Sequence, residues 1–225
     1  MSISGTSSGT SSGTSSKSFM VGFDLDMTLV DSSDGITSTM DVVLKKHGYN
    51  IPLEEMAKTV GIPLWDSFGQ WVPAELVDPL VHEYRALYAE IGIPQTTVLP
   101  GAQEALEAIR ALGGRTMVVS AKLEAAVVKI VKYLDLELDV VVGDLYAEKK
   151  ASALKAESAA IYVGDHPGDV RGAKSAGAVS VAVATGPISR EVLALEGPDI
   201  ILASLLEFPA WLKAWHDEWL QAPAK

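Results

Sequence analysis

Apolar residues in this chain gather in short runs that stop at small or acidic residues. Five stand out: Phe19 to Phe23 before Asp24, Thr116 to Val119 before Ser120, Leu138 to Val142 before Gly143-Asp144, Ala160 to Val163 before Gly164-Asp165, and Val179 to Val183. Unbroken runs of this length predict strands covered on both faces. A weaker run, Asp199 to Leu202, predicts a sixth. Between the runs the apolar positions change to helical spacing, as in Leu106, Ile109 and Leu112, or Val127, Ile130, Val131 and Leu134. Strands alternating with helices predict an α/β fold, a doubly wound and mostly parallel Rossmann-like sheet. Ligands of such sheets lie beyond the carboxyl ends of the strands, so Asp24, Ser120, Asp144 and Asp165 are expected to converge there.

The spacing breaks once. About 90 residues separate the first run from the second, far more than a crossover needs. Within them Ile36, Met40, Val43 and Leu44 share one helical face that ends at Lys45, Lys46 and Gly48. A second helix is expected over Ala74 to Glu90, with Val77, Leu80, Val81, Tyr84, Leu87 and Tyr88 on its apolar face. We therefore expect a core of residues 19–34 and 97–225, with a small helical cap of residues 35–96 inserted into it. Phe208, Trp211, Leu212, Trp215 and Leu220 predict a closing amphipathic helix docked on the sheet.

Composition narrows the class. The 225 residues, 48% hydrophobic, suffice for one α/β domain with an insertion. Eighteen basic against 29 acidic residues give a net charge of −11, which disfavours nucleic acid and anionic membrane as partners. An anionic substrate would have to be drawn in locally, by a metal or a placed lysine. The absence of cysteine excludes disulfides, thiolate metal sites and cysteine nucleophiles. Residues 1–18 repeat Ser-Gly-Thr-Ser without a basic start or apolar stretch, and are expected to be a low-complexity tail outside the fold. The stretch Ile200 to Leu212, broken by Ser204, Glu207 and Pro209, falls short of the roughly 18 apolar residues a membrane span requires. A soluble, cytoplasmic protein is expected, as a monomer or homodimer.

The chemistry concentrates in Asp24-Leu25-Asp26-Met27-Thr28-Leu29-Val30, directly after a buried run. Two carboxylates two positions apart at a strand end point into one site. Charges ~4 Å apart at an effective dielectric of ~20 repel by ~4 kcal/mol, or about three pKa units for one of them. A divalent cation or a proton must relieve this, unless both aspartates merely cap a following helix. The second signal is Gly164-Asp165-His166-Pro167-Gly168-Asp169, whose acids add oxygen ligands and so favour magnesium over zinc.

Asp24-x-Asp26-x-Thr28, a serine ending the next core strand, a lysine before the fourth, and Gly-Asp-x-x-x-Asp resemble, in order, the four motifs of the haloacid dehalogenase superfamily. The resemblance runs from about Phe19 to Glu207, and the long insertion looks like the helical cap of its phosphoglycolate phosphatase and β-phosphoglucomutase branch. It implies a Mg²⁺-dependent phosphatase acting on a small phosphorylated metabolite. Asp24 would be the nucleophile that forms an aspartyl phosphate, and Asp26 the acid and base serving leaving group and water. Asp24, Asp165 and the Asp26 carbonyl would hold Mg²⁺, with Asp169 beside them.

Phosphate contacts fall to Ser120, which could equally cap the next helix, and to a lysine of Glu148-Lys149-Lys150. Lys150 is preferred because its spacing to Leu154 suits a helix start, which turns Lys149 to solvent. Thr28 is placed with the phosphate contacts; it could also orient the loop or Asp26, or cap a helix. His166 lies in the metal turn and could touch substrate, whereas Trp65 and Trp71 either line a pocket or pack the insertion against the core. A mutase, a phosphonate hydrolase using Lys58, and a phospho-accepting regulatory module are the competing functions. A regulatory module has no need of so long an insertion.

Overall fold

The computed structural model describes residues 18–221, so the expected tail lies, save for its last residue, outside the described residues. In chain order the elements are β1 (Met20–Phe23), β2 (Val30–Asp31), α1 (Ser33–Lys46), α2 (Leu53–Ala57), α3 (Leu64–Phe68), α4 (Ala74–Ile91), β3 (Thr97–Val98), α5 (Ala102–Ala111), β4 (Arg115–Val119) and α6 (Glu124–Tyr133). There follow β5 (Val140–Val142), α7 (Lys150–Ala156), β6 (Ala159–Gly164), α8 (Pro167–Ala176), β7 (Val179–Val183), α9 (Arg190–Leu195), β8 (Ile200–Leu202) and α10 (Phe208–Gln221).

Six strands form one sheet in the order β5-β4-β1-β6-β7-β8, and every pairing in it is parallel. The chain leaves β1 toward β4 and β5, then returns past it to β6, so the strand order reverses at β1. That reversal opens a crevice at the carboxyl ends of β4, β1 and β6, where such sheets bind ligands. Each central strand is covered on both faces, as unbroken apolar runs require. Val21 and Phe23 belong to the larger core, where the Phe23 ring meets Phe208 of α10 at 5.6 Å; Met20 belongs to a second cluster with Met117, Leu154 and Tyr162.

α10 docks as expected through Phe208 and Leu212, and Phe19 packs on Trp215 at 5.5 Å. Leu220, expected on the docked face, is instead 51% exposed. In that last turn Trp219 takes the docked face instead, its ring 5.6 Å from Phe19.

Helices α1 to α4 occupy the long interval, framed by β2 and β3, which pair antiparallel as Val30 with Val98 and Asp31 with Thr97. That ribbon was not legible, because two residues per strand carry no periodic signal. Three of the four helices begin directly after a proline, Pro52, Pro63 and Pro73, each extended with φ near −57°. α1 buries Ile36, Met40, Val43 and Leu44 against Leu80, Val81, Tyr84 and Tyr88 of α4, and these join the same apolar cluster as Val21 and Phe23. Gly35 lets the two ends of the insertion meet, since a Cβ there would stand 2.3 Å from the Gly92 carbonyl oxygen. Among the described residues no helix is long and apolar enough to cross a membrane.

Candidate active site

The loop after β1 folds back tightly: the Leu25 carbonyl accepts from the backbone N–H of Thr28, Leu29 and Val30, and Met27 takes a left-handed φ of 59°. Leu25 and Leu29 are fully buried, so this turn is anchored from below while Asp24 and Asp26 stay at the sheet edge, 5% and 7% exposed. Thr185, beyond β7, holds the turn from the other side by donating its hydroxyl to the Met27 carbonyl.

Asp165 follows β6 and Asp169 stands in the first turn of α8. Asp24, Asp165 and Asp169 each offer a carboxylate oxygen, all within 4.8 Å of one another, and all three residues are buried. Lys150, 2% exposed at the start of α7, reaches into them: its Nζ lies 2.8 Å from Asp24 Oδ1, 2.7 Å from Asp169 Oδ1 and 2.9 Å from the Tyr162 hydroxyl. Tyr162 in turn donates to the Val119 carbonyl at 2.8 Å, which ties β4 and β6 to the lysine. Lys149, its neighbour, is exposed.

Ser120 is buried at the end of β4, and its hydroxyl oxygen accepts from the Lys122 backbone N–H at 3.1 Å. It does not cap α6, which begins only at Glu124, after Leu123. Thr28 neither orients Asp26 nor caps a helix; its hydroxyl donates to Asp165 Oδ1 at 3.0 Å. Asp26 is held by two residues that sequence reasoning did not assign: the Ser32 hydroxyl donates to Oδ1, and Lys122 Nζ lies 3.3 Å from the same oxygen. Lys122 donates as well to the Tyr88 hydroxyl of α4, at 3.2 Å. Both partners of Asp26 stood in the sequence next to named motifs, but only the return of α4 over the sheet edge brings Tyr88 to them.

Asp144 departs from the expected convergence. Its side chain, 51% exposed, accepts from the Glu124 backbone N–H and faces Arg85 at 3.7 Å, apart from the other acids. The residue has a φ of 58°, so the chain turns sharply at the end of β5 and swings the carboxylate outward. His166 serves as the cap of α8, with Nδ1 accepting from the Gly168 N–H while Asp169 Oδ2 accepts from the His166 N–H. The two tryptophans divide: Trp65 lines a cavity in front of Asp24 and Asp26, whereas Trp71 packs on the apolar core. Lys58 pairs with Glu55 at 2.6 Å on the surface and is not among the residues lining that cavity.

Electrostatics leave the site short of positive charge. Four carboxylates, of Asp24, Asp26, Asp165 and Asp169, face the two ammonium groups of Lys122 and Lys150. Burial pushes the Asp24 carboxyl up; Lys150 pulls it down, and Asp169 and Asp26 push it up again, to about 7. Asp165 is raised well above the usual carboxylate range, first by burial and then by Asp24 and Asp169. Lys122 goes the other way: burial lowers it, but the Asp26 carboxylate outweighs that and lifts it to about 12.

The residues fit a hard divalent cation. Asp165 Oδ2 is buried without a hydrogen-bond partner, the donor set is all oxygen, and two positive charges would balance the four acids. Gly186 keeps that oxygen approachable, because a Cβ there would stand 1.8 Å from Asp165 Oδ2. Gly186 was invisible to sequence reasoning; it lies beyond β7, and nothing in its neighbourhood marks a close approach.

Comparison with known proteins gives the family. Residues 21–183 match the family described as haloacid dehalogenase-like hydrolase. The chain is similar to a Dickeya dadantii protein named "Probable phosphatase IndB", 31% identical over 210 residues, spanning 84% of this chain and 90% of that one. It is also similar to a phosphoglycolate phosphatase of Aquifex aeolicus, 32% identical over 173 residues, spanning 69% of this chain and 79% of the relative. Among solved structures, a haloacid dehalogenase-like family hydrolase from Streptococcus pneumoniae superimposes with a TM-score of 0.79 at 26% identity, covering 86% of this chain and 98% of that one.

Proposed function

The chain belongs to the haloacid dehalogenase-like hydrolases, and from that premise we propose that it is a magnesium-dependent phosphatase that hydrolyses a small phosphate monoester through an aspartyl phosphate on Asp24. The observation that carries this reading is the trio of buried carboxylates with one oxygen, Asp165 Oδ2, left without a partner.

Asp24, Asp165 and the Asp26 carbonyl would hold Mg²⁺, with Asp169 as an inner or neighbouring partner. Bound there, the ion would offset the repulsion between an anionic nucleophile and an anionic phosphate. This matters for Asp24 in particular, since its carboxyl is pushed up to about 7 by the metal-free surroundings and has to be ionised to attack. Lys150 fixes Asp24 through Oδ1, and Lys150 and Ser120 would supply the contacts to phosphoryl oxygens. Thr28 acts through Asp165, whose carboxylate it orients. Asp26, steadied by Ser32 and Lys122, gives its proton to the departing alkoxide and takes one back from the water that opens the aspartyl phosphate. Residues 35–96 act as a cap, their apolar wall excluding bulk water from these steps.

The test is turnover of p-nitrophenyl phosphate by the purified protein. Hydrolysis that requires Mg²⁺, stops with EDTA and falls on the order of 10⁴-fold or more in Asp24→Asn is expected. One phosphate taken up per chain without turnover would overturn the enzymatic reading in favour of a phospho-accepting module.

A further inference from the structure

The cavity in front of Asp24 and Asp26 is walled largely by the insertion, and its wall is apolar: Ile36, Met40, Val60, Ile62, Leu64 and Trp65. Most of the polar side chains that reach it are already engaged. The Thr59 hydroxyl donates to the Met56 carbonyl at 2.8 Å, and Lys122 is bound to Asp26 and Tyr88. Arg85 lays its guanidinium over the Trp65 ring at 4.5 Å and faces Asp144, while the Trp65 N–H donates to Asp78. Ser120 sits at the phosphate end. The exception is Tyr84: stacked on Tyr88 at 5.3 Å and 3% exposed, its hydroxyl is buried without a hydrogen-bond partner.

We infer that the alcohol half of the substrate is predominantly apolar, an aromatic or branched aliphatic primary alcohol with at most one acceptor for Tyr84, and not a polyol or a short hydroxy acid. This rests on the phosphatase reading. A hexose phosphate would carry several hydroxyls out of water into a wall that offers few free partners, the Tyr84 hydroxyl and the Arg85 guanidinium at its rim, and each unmatched hydroxyl loses its hydrogen bonds to water. An apolar group loses nothing comparable and covers Ile36, Met40 and Trp65. A hydrophobic wall rejects one added hydroxyl by up to about 100-fold, so several should separate the classes clearly.

The experiment compares kcat/KM of the Mg²⁺-loaded enzyme for 2-phenylethyl phosphate, 3-methylbutyl phosphate, glucose 6-phosphate and 2-phosphoglycolate. The apolar esters are expected to exceed both others by at least about ten-fold. Leu64→Gln, which puts an amide into the half-buried wall, should narrow that ratio several-fold. Glucose 6-phosphate or 2-phosphoglycolate turned over as well as the apolar esters would overturn this inference and leave the phosphatase reading standing. No turnover of any ester would sink the phosphatase reading first. In that case 2-phenylethyl phosphate that fails to quench tryptophan emission in the Asp24→Asn variant, where Trp65 lines the cavity, would overturn the apolar site too.

Discussion

The phosphate end of the site and the wall opposite it are built on contrary principles. At the sheet edge four acids and two lysines come from four separate stretches of chain, and almost every polar atom there has a partner. In the insertion the surface facing the cavity is mostly hydrocarbon, drawn from the helix α1 and the segment from Val60 to Trp65, with Thr59, Tyr84 and Arg85 as its polar members. The first arrangement tolerates no change of charge, since each group is oriented by the next; the second tolerates change of shape, since apolar contact has no direction. The link between them is a single ammonium, Lys122, which binds Asp26 of the one and Tyr88 of the other.

Three experiments would break or sharpen that contrast. The largest effect is expected from Lys150→Met, which strips Asp24 and Asp169 of their shared buried counter-charge. Loss of about 3–5 kcal/mol in urea unfolding of the metal-free protein, with activity gone on every ester, is expected. A variant that kept its stability would mean that the acids do not depend on one another. Next comes Gly186→Ala, whose methyl would drive into Asp165 Oδ2. We expect Mg²⁺ affinity, read by calorimetry, to fall about 10–100-fold with the order of preference among esters unchanged. A changed order would show that the two regions are not separable.

The smallest effect concerns pH. Folded Asp24 titrates at about 7 against 3.8 for an ordinary aspartate, so between those values the folded state binds the proton that the unfolded state has lost. Its raised pKa therefore stabilises the metal-free fold at low pH, and this contribution is lost as pH rises through about 7. Melting temperature in EDTA should fall by several degrees between about pH 5 and about pH 8, and Mg²⁺ should raise it more at the higher pH. A metal-free protein that grew more stable over that interval would contradict the burial of Asp24.

Much of the core was legible because burial on both faces writes itself into the sequence. Phe19 to Phe23 and Ala160 to Val163 could hardly be anything but inner strands, and Asp24 and Asp165 had to follow them at the same edge. Lys150 stood out from Lys149 for a similar reason, since Leu154 one turn on fixes which lysine faces inward. Asp144 misled, because it too ends an apolar run; a left-handed turn of one residue, unmarked by any glycine at that position, sends its carboxylate away. Thr28 could be placed in the motif but not given its partner, since Asp165 lies 137 residues away in the chain.

What the sequence alone determined is therefore periodic or adjacent: the six strands of the main sheet, the helices α1 and α4 of the insertion, and the acids that end β1 and β6. Such features arise from local spacing, which burial repeats along the chain. Only the tertiary structure decided that Ser32 and Lys122 hold Asp26, that Gly186 makes room for Asp165, and that Tyr84 brings an unpartnered hydroxyl to an apolar wall. These depend on distances between elements remote in sequence. No residue type announces them, because the force that joins them, a hydrogen bond or a close approach, acts across space and leaves no period behind.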